Sequence, residues 1–186
     1  MSEKSKKNQT IQYYDQNAID FVENTRDVDF HVIQDEFLEK LPAGAQVLDL
    51  GCGSGILSIA ALRLGAEHAF ACDIDEKCVE VAYENAALNG IDRSRYTVRW
   101  GDVLSDQQLK AEIGGGYDMV VANIVADVII GMAPMFFAKT AEGGTLICSG
   151  ILNERADEVR AALEKAGFEV VNHAKSDDWS AFTAKK

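Results

Sequence analysis

From Ala45 onward the chain alternates short apolar runs with stretches of helical periodicity, and this alternation restricts the fold more than any other feature. The runs AQVLDL, HAFACD, YTVRW, YDMVVAN and GTLICSG read as strands. Between them, apolar residues recur at helical spacing over 54–64, 76–88 and 125–138, with a short helical stretch after Ser105; a further helix covers 154–166. Asn89-Gly90 and Gly167 supply the residues that close helices. Parallel neighbours in a sheet need crossover connections, usually helices, so this order predicts a doubly wound, Rossmann-like α/β domain with helices on both faces. FEVVNHA and WSAFTAK are joined only by the polar turn 175–178 and must pair antiparallel. The expectation is a seven-stranded, mostly parallel sheet with one antiparallel strand near the C-terminus.

A chain of 186 residues with 47% hydrophobic content is long enough for one full core and too short for two ordinary domains. Residues 1–9 read as a flexible polar tail. Residues 10–41 read as two amphipathic helices, carried by Ile11, Tyr14, Ala18, Phe21 and Val22, then by Phe30, Ile33, Phe37, Leu38 and Leu41, and 42–186 hold the core. With 18 basic against 30 acidic residues, the net charge of −12 opposes nucleic acid and anionic membranes, and draws a basic protein or a small cationic group. There is no apolar signal core at the start and no uninterrupted apolar run of membrane-spanning length, so a cytoplasmic protein is expected. Cys52, Cys72, Cys78 and Cys148 lie in apolar runs without a CxxC pair and read as buried thiols. His31, His68 and His173 lack ligand spacing, so no metal is expected.

The stretch VLDLGCGSG places Gly51, Gly53 and Gly55 in the loop after the first strand, where bare backbone N–H groups meet a ligand in such sheets. Asp73 ends the second strand about twenty residues on, where a carboxylate accepts from both ribose hydroxyls. Asp102 follows the third strand, positioned to accept from an adenine amino group while the Val103 N–H donates to a ring nitrogen. Together these positions describe one adenosine pocket. A dinucleotide fingerprint needs a third glycine where Ile56 stands, and no GxxxxGK[ST] loop is present, so pyrophosphate ligands are disfavoured. Asp49 repels phosphate and suits an ammonium group. S-adenosylmethionine carries one, and S-adenosylhomocysteine is then the product.

The segments VLDLGCGSGILSIAALRLGA, CDID, ENAALNG, VVANIVADVII, GGTLICSGIL and the terminal WSAFTAKK resemble class I S-adenosylmethionine-dependent methyltransferases, and more narrowly the catalytic domain of the ribosomal protein L11 methyltransferases. The resemblance runs from about Leu41 to the C-terminus and makes 10–186 a methyltransferase domain. It implies methylation of lysine and α-amine nitrogens on a ribosomal protein, without a metal. Cofactor contacts are expected at Asp49, Gly51, Cys52, Gly53, Gly55, Asp73, Ile74, Asp102, Val103 and Asn123. That family's separate N-terminal domain and its FGTGxHxTT segment have no counterpart in this sequence. YYDQNAIDFVENT instead resembles the opening helix of small stand-alone methyltransferases, where aromatic residues close over the cofactor.

Methyl transfer from a sulfonium needs alignment and exclusion of water, not a nucleophilic side chain. Asn123, at the end of the fourth strand, offers a neutral side-chain oxygen, with the Ile124 carbonyl beside it, to hold the N–H groups of a deprotonated amine. The competing reading makes Asn123 the cap of the next helix. Enzymes that methylate base amines carry an aromatic platform here; Ile124, Val125 and Ala126 provide none. Tyr13 and Tyr14 are candidate lid residues and Trp179 a candidate wall of the acceptor pocket, whereas Tyr83 reads as core. A protein amine methyltransferase leads; the alternatives are a stand-alone enzyme acting on small-molecule amines and an inert cofactor-binding module.

Overall fold

The computed structural model describes residues 41–186. The expected tail and the helices of 10–40, Tyr13 and Tyr14 included, lie outside the described residues. In chain order the elements are β1 (Gln46–Leu50), α1 (Ile56–Arg63), β2 (His68–Asp73), α2 (Lys77–Leu88), β3 (Tyr96–Trp100), α3 (Gln107–Ile113), β4 (Tyr117–Asn123), α4 (Ala126–Lys139), β5 (Thr140–Leu152), α5 (Ala156–Ala166), β6 (Glu169–Ser176) and β7 (Trp179–Lys185). They build one seven-stranded sheet in the order β3-β2-β1-β4-β5-β7-β6. β7 runs antiparallel to both neighbours, and the pairings of β1 through β5 are all parallel. The reversed strand therefore sits one place in from the edge, which β6 occupies.

Successive strand residues point to opposite faces, and this parity sorts the core. Leu48, Leu50, Phe70, Cys72, Val120 and Ala122 join one buried cluster with Leu109 and Ile113 of α3, Ile129 and Phe136 of α4, and Val159 and Leu163 of α5. Val47, Ala69, Ala71, Val98, Met119 and Val121 are buried but stand outside that cluster, and α1 and α2 pack on β1, β2 and β3. Strand order reverses between β1 and β4, so the carboxyl ends of these strands open a crevice at that point, where ligands bind in this architecture.

Helix starts depart by a residue or two from the sequence expectation. α1 begins at Ile56 because Gly55 takes a left-handed conformation, φ 81°, as its N-cap. α5 is entered through a short 3-10 turn, Asn153–Arg155. β5 is thirteen residues long, reaching back to Thr140 through an irregular register between Tyr117 and Met119. The four cysteines are free; Cys52, Cys72 and Cys148 are buried, while Cys78 is only half-buried at the start of α2. Tyr83 is likewise half-buried rather than core: its ring packs edge-on against Tyr96 and lies under the Arg93 guanidinium, and its hydroxyl accepts from the Val98 N–H. No helix among the described residues is long and apolar enough to cross a membrane.

Candidate active site

A cavity of about 370 Å³ opens at the carboxyl ends of β1, β2 and β3 and is closed on one side by α4. Gly51, Asp73, Ile74, Asp102, Val103 and Ile124 all line it, with Leu104, Val128 and Met132 completing an apolar wall. Its size falls in the range of small-molecule sites, and its few polar groups are concentrated at the strand ends. Ile74 is 75% exposed and Leu104 47% exposed, so the mouth presents flat apolar surface to solvent.

Asp73 serves two structures at once. Its Oδ2 accepts from the Gly53 N–H at 2.8 Å and its Oδ1 from the Asp75 N–H at 2.9 Å, which ties the glycine loop to the end of β2. A carboxylate has about four acceptor positions, so two remain for a ligand's hydroxyls. Asp102 accepts from the Leu104 N–H at 2.9 Å and from the Ser105 hydroxyl at 2.7 Å, and these bonds hold its carboxyl below the usual range. The aspartate is thus fixed as an anion facing solvent beside the buried Val103.

The three loop glycines have different physical reasons. Gly51 donates its N–H to the Cys72 carbonyl at 2.9 Å, has φ 78°, and a Cβ there would overlap the Ile124 side chain. It alone of the three lines the cavity. Gly53 has open space where a Cβ would stand, and its role is the N–H held by Asp73. Gly55 lets α1 approach β3 and α2: a Cβ would lie 2.6 Å from the Tyr96 hydroxyl and 3.1 Å from Ala82 Cβ. Cys52 is buried off the cavity wall, where its N–H donates to the Cys72 carbonyl at 3.2 Å and burial pushes its thiol pKa up.

Asp49 does not face the cavity, contrary to the expectation that it meets an ammonium group directly. Leu50 lines the cavity, and strand alternation turns the preceding side chain to the α1 face. There Asp49 is fully buried; its Oδ2 accepts from the Ser58 hydroxyl at 2.7 Å and N–H at 3.1 Å, while its Oδ1 has no partner. Desolvation pushes its pKa up to about 6, against the lowering effect of the Ser58 bonds, and nearby Asp73 raises it further.

Asn123 stands at the junction of β4 and α4. It is exposed, and the N-cap of α4 is Val125 with no side-chain cap bond, so Asn123 does not cap that helix. It lines neither this cavity nor its neighbour described next. Gly150 of β5, at φ 81°, shows where its side chain points: a Cβ on Gly150 would fall 2.7 Å from Asn123 Oδ1 and 3.0 Å from the Ile124 carbonyl oxygen. Asn123 Oδ1 and the Ile124 carbonyl therefore pack closely against the Gly150 backbone, where only a glycine leaves them room. A second, smaller depression of about 140 Å³ lies there, lined by Val125, Ala126, Asp127, Gly150, Leu152, Arg155 and Trp179. Trp179 is 53% exposed, not packed beneath a helix. Arg155 bridges Asp127 at 2.7 Å and Glu158 at 2.7 Å, with Asp127 largely free in solvent. No cluster of three or more metal-ligating side chains occurs among the described residues.

The family model for ribosomal protein L11 methyltransferase (PrmA) matches residues 33–186. The chain belongs to this family. Relatives include the ribosomal protein L11 methyltransferase of Agathobacter rectalis, 41% identical over 152 residues, which cover 81% of this chain and 47% of that protein. That of Pseudomonas aeruginosa is 42% identical over 144 residues, covering 77% and 46% respectively. The chain thus spans about half the length of the curated relatives it matches. Among solved structures, ribosomal protein L11 methylase from Lactobacillus delbrueckii subsp. bulgaricus superposes with a TM-score of 0.71 at 31% identity, over 82% of this chain and 76% of that one.

Within this L11 methyltransferase-family site, several supporting residues escaped the reading of the sequence. Asn85 of α2 donates its side-chain N–H to the Ser54 carbonyl at 2.9 Å and so anchors the far side of the glycine loop. Ser58 is the partner of the buried Asp49. The indole N–H of Trp100 donates to the Ile74 carbonyl at 3.1 Å and steadies the cavity mouth. All three lay in segments already singled out, Asn85 in ENAALNG, Ser58 in VLDLGCGSGILSIAALRLGA and Trp100 in YTVRW, but nothing in their spacing marks these contacts.

Proposed function

We propose that the chain transfers a methyl group from S-adenosylmethionine to an amine nitrogen of ribosomal protein L11, a lysine or the α-amine, and acts in the cytoplasm where ribosomes are assembled. The observation that carries this reading is the pairing of two depressions at one end of the sheet. One has the anionic Asp73 and Asp102 on an apolar cavity beside the bare Gly51 backbone. The other is the shallower depression lined by Val125, Gly150, Leu152 and Trp179, with Asn123 Oδ1 and the Ile124 carbonyl packed beside Gly150.

The residues of the first cavity fit an adenosyl group. Asp73 retains acceptor positions for ribose hydroxyls, and Asp102 is held ionised to accept from an amino group. Val103, Leu104, Val128 and Met132 supply apolar surface against a flat ring. Cys52, Gly53 and Gly55 support this site through loop geometry, and Asp49 acts from beneath the loop rather than by contact. The bound donor supplies a methyl group on a sulfonium centre.

What the chain does for transfer is positional. Asn123 Oδ1 and the Ile124 carbonyl accept the N–H groups of a neutral amine and leave its lone pair free to point at the donor. Val125 borders both depressions and Ile124 walls the first, so the N-terminus of α4 forms an apolar boundary between them. Trp179 gives the second depression an aromatic face suited to a cationic segment of a basic protein, consistent with the net charge of −12, while Asp127 on its edge is paired with Arg155.

The test is incubation of the protein with labelled methyl donor and either ribosomal protein L11 or a metabolite pool. Label in L11 is expected. Label only among metabolites would move the acceptor to small molecules. Tight S-adenosylhomocysteine binding with no label in either would mark an inert binding module.

A further inference from the structure

Trp179 opens β7 immediately after a hairpin turn that carries the one non-glycine residue with positive φ among the described residues, Asp177 at φ 45°. Aspartate is among the few non-glycine residues that enter the left-handed region, and here the turn is also held from outside. Asn153 provides that fixation from the far end of β5. Its side-chain N–H donates to the Asp177 carbonyl at 2.6 Å, and its backbone N–H to the Asp178 carbonyl at 2.9 Å. Its Oδ1 accepts from the Ser180 hydroxyl at 2.6 Å. Both carbonyls of the turn and the residue beyond Trp179 are thus gripped by one side chain and its backbone.

The bond directions follow from a count of protons. Ser180 has a single hydroxyl hydrogen, and it goes to Asn153. The 3.0 Å contact between Ser180 Oγ and His173 Nε2 must therefore have the imidazole as donor, so Nε2 carries the proton. His173 is in turn stacked on the buried Phe182, with ring centroids 4.3 Å apart. The result is a one-way chain of donors from β6 through β7 to the turn, His173 to Ser180 to Asn153 to Asp177. Ser180 is only 2% exposed, so the chain is shielded from competing water at its centre.

We infer that Asn153 is a positioning residue for acceptor recognition: by clamping the β6–β7 turn it holds the Trp179 indole over the second depression, without touching the donor cavity. The inference rests on the proposed function, which makes that depression the acceptor site. Leu152, directly before Asn153, pairs with Trp179 across the ladder and lines the same depression. Loss of the clamp therefore frees the indole at the point where it forms the wall. Asn153 and the donor-side residues Asp73 and Asp102 belong to opposite flanks of the sheet, so donor affinity is separable from this effect.

The experiment uses the full chain with Asn153→Ala, Asn153→Ala combined with Asp177→Gly, and Trp179→Ala. For Asn153→Ala the KM for ribosomal protein L11 should rise about tenfold with kcat changed less than about twofold, and S-adenosylhomocysteine affinity should stay unchanged. Glycine adopts positive φ without strain, so the double variant should recover most of the lost KM. Only two tryptophans are present, so Trp179 can be followed alone in a Trp100→Phe background. There, acrylamide quenching of Trp179 should increase in Asn153→Ala and fall back in the double variant. Unchanged quenching in Asn153→Ala overturns the positioning claim whatever the activity does. A parallel loss of donor affinity overturns it as well, because that marks general loosening. If the parent protein itself places no methyl on L11, the functional reading and the acceptor half of this inference fall together, while quenching still decides whether Asn153 holds Trp179.

Discussion

The cavity around Asp73 is walled by residues whose direction the parallel ladder dictates, whereas the depression beside Trp179 is held by side chains reaching between loops. In the first, Gly51, Asp73 and Asp102 are consecutive strand ends, and each carboxylate is fixed by neighbouring backbone N–H groups. In the second, the wall is an exposed indole at a hairpin, and its support is the amide of Asn153 and the Arg155 ion pairs. A donor that is the same molecule in every cycle suits the first kind of construction. The second is shallower and depends on side-chain contacts that one substitution can remove.

That contrast predicts separable effects. The largest expected is on transfer alone: Asn123→Ala should lower methyl transfer by about ten- to a thousandfold while leaving S-adenosylhomocysteine affinity nearly intact. Single-turnover rates beside calorimetry decide it, and equal turnover in variant and parent would remove Asn123 from the mechanism.

Next comes the buried carboxylate beneath the donor loop. Its pKa, pushed up to about 6 from the usual aspartate value of 3.8, means the folded state binds its proton more tightly than the unfolded chain does. The contribution of Asp49 to stability is therefore most favourable below pH 3.8 and falls by about 3 kcal/mol as pH rises through 6. Asp49→Asn carries no such charge, so its urea midpoint relative to the parent should climb between pH 4 and 6.5. A constant difference over that range would mean the charge is compensated in the folded protein.

Asp73→Ala should weaken S-adenosylhomocysteine by about 1 to 3 kcal/mol, through lost charge-assisted bonds to the ligand and to Gly53. Calorimetry returning the parent's affinity would take the ribose role away from Asp73. The smallest effect belongs to the other region. Asp127→Asn breaks a solvent-exposed ion pair with Arg155, so its thermal midpoint should match the parent's. A marked drop would show that the second depression is tied into the fold more firmly than its exposure indicates.

Much of this was legible in the chain before any coordinates, for reasons that differ by region. The alternation of strand and helix patterns specifies a parallel sheet, and in such a sheet Asp73 and Asp102 can only fall at adjacent strand ends. The direction of Asp49 was not legible in the same way. β1 is buried on both faces, so hydrophobic pattern carries no parity there, and the polar partner that takes up Asp49 is Ser58, nine residues on in α1. Gly55 was read as a ligand contact because spacing alone cannot distinguish a bare backbone facing a ligand from one facing Tyr96 and Ala82. Trp179 was legible as a candidate wall of the acceptor pocket, but its clamp was not: Asn153 acts through contacts across 24 to 27 positions of sequence, formed only once β5 and β7 pair, and local pattern holds no trace of them.

The most direct test of the two-site account is the intact mass of ribosomal protein L11 before and after incubation with S-adenosylmethionine and this chain, parent and Asn123→Ala side by side. The account predicts that L11 gains the mass of one or more methyl groups with the parent and far less with the variant, although both bind S-adenosylhomocysteine equally. An L11 mass unchanged by a parent protein that binds the donor product would contradict it.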